Sequence, residues 1–127
     1  ESPHHSLSME KYRKHLGNEG EQAAADFLRE EGFVILARNY SLRGVGEIDI
    51  VACCEALMLF IEVKSRKGDA YGGAIFSISD KKLCRLRKTA EGYLSANPQH
   101  LRKEMTYRFD LIIVQGKQLE WIRDILR

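Results

Sequence analysis

A chain of 127 residues, 44% hydrophobic and 30% charged with a formal net charge of +2, has the size of one domain with one core and the composition of a soluble globular protein. No apolar run approaches the roughly 20 residues of a membrane-spanning helix, and no apolar signal segment stands near the N-terminus, so a cytoplasmic protein without a membrane partner is expected. Cys53, Cys54 and Cys84 form an odd set without C-x-x-C spacing, and His4, His5, His15 and His100 do not cluster with them. Neither a disulfide framework nor a zinc site can be drawn from such a pattern.

Charge is unevenly distributed. From residue 65 to 108 there are ten Lys or Arg against four Asp or Glu, leaving the rest of the chain acidic. A basic half beside acidic residues is the footprint of a polyanion-binding protein such as one that takes nucleic acid, although a solvated Lys/Arg-rich helix gives the same count.

In chain order, residues 1–8 are polar and without period, and are expected to be a disordered tail or an appended remnant, with Met9 fitting a native start and 9–127 a single domain. Residues 10–31 suit a helix whose stripe is Leu16, Gly20, Ala24, Phe27 and Leu28, stopped by Gly32. Gly17 and Gly20 permit close packing or mark a break in it. Glu21 lies at helical spacing from Ala24, Ala25 and Leu28, which makes it either an inward-facing acid or a rim residue whose head reaches water. A strand over 33–40 follows, then a turn over 41–44.

Two neighbouring strands, 45–52 and 57–64, carry most of the chemistry. Alternation puts Glu47, Asp49 and Val51 on one face of the first and Phe60, Glu62 and Lys64 on one face of the second. The residues between, Cys53 to Ala56, fit a hairpin, so the strands are expected to be antiparallel neighbours. Beyond them, residues 65–73 are rich in Gly and charge and fit a mobile, substrate-contacting loop. A helix starts with Ser77 or Ser79 as cap and ends at Asn97-Pro98; Leu83, Leu86, Ala90, Tyr93 and Leu94 form its apolar stripe. Lys81, Arg85 and Lys88, with Lys82 beside them, form its basic face, and Arg66 and Lys67 join them as candidate nucleic-acid contacts. Strands over 107–114 and 118–122 complete the chain. Asp110 shares a strand face with Arg108, and an ion pair or a partner contact is expected there.

Two carboxylates and an ammonium at strand ends are costly to bury unless paired or metal-bound. Phosphodiester hydrolysis needs charge neutralisation, an activated water and a stabilised leaving oxygen. Mg²⁺ meets the first need when held by one or two carboxylates and substrate phosphate. Asp49 and Glu62 would be its ligands with the Val63 carbonyl, Lys64 would orient or deprotonate the attacking water, Glu21 would orient water or help hold a second ion, and Glu47 would support Asp49. A structural salt-bridge cluster on a half-exposed sheet uses the same residues.

The order of Gly17-Asn18-Glu19-Gly20-Glu21, Gly46-Glu47-Ile48-Asp49-Ile50-Val51-Ala52, Phe60-Ile61-Glu62-Val63-Lys64-Ser65-Arg66 and Arg108-Phe109-Asp110-Leu111 resembles the PD-(D/E)xK nuclease superfamily. More narrowly it resembles archaeal Holliday-junction resolvases and the small bacterial YraN-like family of unknown function. Ile48 departs from the superfamily pattern, which has Pro there. The resemblance implies an α/β, restriction-endonuclease-like core with a central mixed β-sheet flanked by helices. It also implies metal and catalytic positions at Asp49, Glu62 and Lys64, with Glu21 as the helical acid. The expected function is a Mg²⁺-dependent DNA endonuclease, with Mn²⁺ able to substitute, acting on branched DNA as a homodimer and alongside DNA-processing partners. The alternative is a non-catalytic nucleic-acid-binding module that keeps the fold as a scaffold.

Overall fold

The computed structural model describes residues 9–66 and 78–126, with side chains described from residue 19 onward. Helix α1, Met9–Glu30, runs unbroken through both glycines. It buries Ala24, Ala25 and Leu28 completely. Gly32, at φ 100°, turns the chain out of the helix while the Phe33 amide donates back to the Leu28 carbonyl at 2.9 Å, the left-handed glycine stop that the sequence signals. Strands β1 (Val34–Leu42), β2 (Gly46–Cys54) and β3 (Leu57–Arg66) follow. Helix α2 (Asp80–Ala96), a 3₁₀ turn at Pro98–His100, and strands β4 (Thr106–Gln115) and β5 (Gln118–Ile122) complete the order.

The five strands form one sheet in sequential order, β1-β2-β3-β4-β5. All neighbouring pairs are antiparallel except β3 and β4, which run parallel with Phe60 opposite Phe109 and Glu62 opposite Leu111. A parallel pair needs a long crossover, and α2 lies within it. The β2–β3 hairpin expected from sequence is present, with its turn confined to Glu55 and Ala56. Glu55 takes the left-handed conformation at φ 53° that tight hairpins demand.

Each helix covers one face. On the α1 side, Ala24, Ala25 and Leu28 pack on Ile50, Ala52, Leu59, Ile61, Ile112 and Val114. On the α2 side, Leu86, Ala90 and Tyr93 pack on Ile48, Val51, Met58 and Phe60. Each large side chain removed from water contributes on the order of 1.5–3 kcal/mol, and both layers are needed because a strand buried on both faces must be apolar on both. The result is the expected α/β architecture, a mixed sheet between two helices, consistent with a restriction-endonuclease-like core. No described helix is long and apolar enough to cross a membrane.

Two glycines set how closely the helices approach. A Cβ on Gly20 would lie 1.9 Å from Ser65 Oγ and 3.2 Å from its Cβ, and one on Gly46 would lie 2.9 Å from Thr89 Oγ1. Gly20 thereby brings α1 onto the end of β3, and Gly46 brings α2 onto the start of β2, on either side of the same corner of the sheet.

Several boundaries differ from the sequence expectation. β1 and β2 each extend two residues further at their C-terminal ends, and Ser65 and Arg66 continue β3 by pairing with Val114 and Gln115 instead of opening a loop. The expected loop beyond them, the alternative cap Ser77, the tail over 1–8 and the side chain of Leu16 lie outside the described residues. Ser79 is the cap of α2: its Oγ accepts from the Lys82 amide at 3.1 Å.

Candidate functional site

Strict alternation fails at the level of Asp49. Ile48 and Ile50 are two residues apart and should share a face, yet Ile50 belongs to the α1 layer and Ile48 to the α2 layer. The partner strand changes sides at the same place. Arg38, opposite Ile50, bonds to Glu21 and Gln22 of α1, whereas Tyr40, opposite Ile48, meets Tyr93 of α2 edge-on at 5.1 Å. Asn39, between them, has φ 53°, a conformation Asn tolerates better than most side chains. The residue that departs from alternation is Ile48, which a local twist beside Asn39 puts with Val51 against α2, the side on which Glu47 also lines a depression with Lys82 and Arg85.

Asp49 reaches the neighbouring strand. Its Oδ2 accepts from the Val63 backbone amide at 2.8 Å, which stands one residue beyond Glu62. Burial raises the Asp49 carboxyl first, and the Glu62 carboxylate raises it next; the Val63 amide opposes them, and Glu21 and Glu47 add to the rise, leaving the group pushed up to about 7. Desolvation and like charge both disfavour the ionised form. Asp49 is thus a half-buried acid short of positive charge.

Glu62 is 5% exposed and belongs to the α2 side. Its Oε2 lies 3.5 Å from Lys64 Nζ and 3.2 Å from Lys82 Nζ. Lys64 is on the expected face. Lys82, expected as a nucleic-acid contact, is instead the closer cation on the acid. Glu21, 6% exposed, is inward rather than a rim residue. Its Oε1 receives Asn39 Nδ2 at 2.9 Å and Arg38 Nε at 3.1 Å, and Arg38 Nη2 also lies 3.1 Å away. Glu47 is exposed and lines a shallow depression of about 60 Å³ with Gly46, Lys82, Arg85 and Leu86.

The structure therefore brings together Asp49, Glu62, Val63 and Lys64, with Glu21 contributing charge from α1 and Glu47 from β2. Lys81, Arg85 and Lys88 are exposed along α2, as expected for its outer face, and Arg66 is half-buried at the end of β3. Lys67 lies outside the described residues. Asp110 is in the ion pair expected for it: Arg108 Nε and Nη2 donate to its two oxygens, each at 2.9 Å. Sequence reasoning missed Arg38 and Asn39 as the partners of Glu21. The available signal was Asn39 itself, a residue depleted in strands in the middle of an otherwise strand-like run.

Among the described residues no three of His, Cys, Asp and Glu stand close enough to form a metal cage. A buried carboxylate beside a half-buried one, Glu62 and Asp49, does fit Mg²⁺, which keeps several waters and takes one or two protein carboxylates. The raised Asp49 carboxyl marks where added positive charge would be favourable.

Comparison with known proteins gives the chain its relatives. Residues 20–114 match the family model described as uncharacterised protein family UPF0102, a segment that contains every acid and lysine of the site. A UPF0102 protein of Desulfosudis oleivorans is 40% identical over 114 residues, covering 88% of this chain and 89% of its own. One from Neisseria gonorrhoeae is 39% identical over 110 residues, covering 86% and 92%, and one from Nitrosomonas europaea is 36% identical over 111 residues, covering 85% and 90%. The small-family resemblance read from the motifs is borne out, and the chain belongs to the uncharacterised protein family UPF0102.

Proposed function

We propose that this protein is a Mg²⁺-dependent endodeoxyribonuclease that hydrolyses phosphodiester bonds, with branched, Holliday-junction-like DNA as its substrate, and that it stands within the PD-(D/E)xK nucleases. The observation that carries the reading is the pairing of Asp49 with Glu62 across β2 and β3. Burial and mutual repulsion push the Asp49 carboxyl to about 7, while two lysines stand on the Glu62 oxygen. A purely structural cluster gains nothing from an acid held in that state.

In this reading Asp49 and Glu62 hold the ion, with the Val63 carbonyl beside them; Mn²⁺ would serve in its place. The ion supplies charge neutralisation at the phosphoryl group and a more acidic water. The Val63 amide fixes the Asp49 carboxylate in rotation, so its other oxygen has a defined direction. Lys64 Nζ, tethered to Glu62, orients the attacking water and offsets phosphate charge. Glu21, clamped by Arg38 and Asn39, lends negative potential to the site. Lys81, Arg85 and Lys88 on the exposed side of α2, with Arg66 on β3, lie along the path of the strand.

A second reading has an observation of its own. Glu62 already has two lysine partners, and no three-ligand cage exists among the described residues, which suits a DNA-binding module that keeps the acids as internal ion pairs. One panel decides between them. Duplex, single-stranded, flap and four-way DNA are incubated with Mg²⁺ or Mn²⁺ and wild-type, Asp49→Ala or Lys64→Ala protein. Cleavage by the wild type alone, with DNA binding nearly intact in Lys64→Ala, supports the enzyme. Binding without cleavage of any substrate supports the module.

A further inference from the structure

Glu62 carries more positive charge than one carboxylate requires. Lys64 and Lys82 share its Oε2 at 3.5 and 3.2 Å, and their origins differ. Lys64 is two residues away on the same strand, so the pleat holds it on the Glu62 face whatever else changes. Lys82 reaches in from the first turn of α2. Its backbone is anchored through the bond from its amide to Ser79 Oγ, and its side chain is 35% exposed against 39% for Lys64, so what separates the two is the surface beside Lys82. Beside it lie the depression lined by Glu47 and Arg85 and the exposed Lys81.

Adding a dication to this corner while both ammoniums stay would bring it against two positive charges only a few ångströms away. Of the two, Lys82 is the one that lines the depression beside Arg85 and can move along the outer face of α2 without leaving its helix. We infer that Lys82 is an internal counter-ion that holds Glu62 in the cation-free protein and competes with the divalent ion for it, its ammonium swinging out to the basic face of α2 when the ion binds. The inference rests on the metal-dependent nuclease reading above. Its consequence is that cation uptake releases a positive charge on the side where a nucleic-acid strand would lie, and by linkage a phosphate that captures Lys82 favours cation binding.

The test is calorimetric titration of Mn²⁺ into the DNA-free protein, comparing wild type with Lys82→Met, Arg87→Met and Glu62→Gln. Lys82→Met removes the competitor while keeping the length of the side chain. Arg87→Met removes an exposed charge from the same helix and reports any general change in net charge. Lys82→Met is expected to bind Mn²⁺ about fivefold more tightly, the scale of a half-exposed ion pair. Arg87→Met should stay within about twofold of wild type, and Glu62→Gln should lose binding. Unchanged or weaker binding by Lys82→Met, with Glu62→Gln still abolishing it, overturns the competition and leaves the metal reading standing. Equal tightening by Arg87→Met overturns it as well, by reducing the effect to net charge. Absence of binding in both wild type and Lys82→Met overturns both. Lys82→Gln serves as a second competitor-free variant if Lys82→Met fails to give the wild-type melting transition.

Discussion

Asp49 and Asp110 are both drawn into the sheet, one on β2 and one on β4, and their surroundings are opposite. Asp110 is fully buried and receives four donors: two from Arg108, the Trp121 indole at 2.8 Å and the Asp124 amide at 2.8 Å. Its charge is matched, and the match ties the C-terminal end of the chain to β4. Trp121, in turn, stands edge-on to Phe27 and Phe33 at 5.6 and 6.1 Å, so the same latch reaches α1. Asp49 has the Val63 amide and three acids around it. A carboxylate that folding satisfies is part of the scaffold, while one that folding leaves short of positive charge is held for something else.

The contrast can be broken at either end. The largest effect is expected at Asp110, where Asp110→Ala would strand the Arg108 guanidinium and the indole N–H. A loss of about 3–5 kcal/mol is expected, the cost of removing one partner of a buried pair, read by urea unfolding. Asp49→Asn should act in the reverse direction. Between the unfolded value of 3.8 and the folded value of about 7, the folded protein holds a proton that the unfolded chain has released. Stability therefore falls as pH rises through that window, and the penalty is complete above about 7. Asparagine keeps the acceptor for the Val63 amide but carries no charge. The variant should match wild type near pH 4 and exceed it by roughly 2 kcal/mol near pH 8, measured as the difference between two unfolding curves.

Smaller effects sharpen the geometry around the site. Asn39→Ala loses the bond to Glu21 and places a Cβ-bearing residue without local compensation at φ 53°. About 1–2 kcal/mol of destabilisation is expected, of which Asn39→Gly should recover about 1 kcal/mol by removing the backbone conflict. Equal losses in the two variants would show that the left-handed conformation itself costs nothing. Ser79→Ala removes the α2 cap and should cost about 1 kcal/mol, with hydrogen exchange rising in the first turn that carries Lys82.

Much of this was legible from the sequence because the relevant signals are local. The hairpin spacing between Asp49 and Glu62, the two-residue step from Glu62 to Lys64, the serine at 79 and the glycine at 32 each report on a few neighbouring residues, and the structure places each where the pattern put it. Strand alternation also placed Arg108 beside Asp110. Illegible were the features fixed by packing between distant segments. The change of face at Asn39 depends on two helices competing for opposite sides of one sheet corner. The inward turn of Lys82 depends on how closely Gly46 lets α2 approach β2, and no count of i, i+4 and i+7 positions on the helix distinguishes it from Lys81. The latch on Asp110 needed Trp121 and Asp124 to return from across a turn.

Whether Asp49 is held short of positive charge is read directly by carboxyl-carbon NMR of the aspartates. In the absence of divalent ions the Asp49 resonance is expected to titrate with a midpoint near 7, and addition of Mg²⁺ should move that midpoint downward as the ionised form gains a partner. A midpoint in the ordinary carboxylate range that Mg²⁺ leaves in place would contradict an Asp49 short of positive charge.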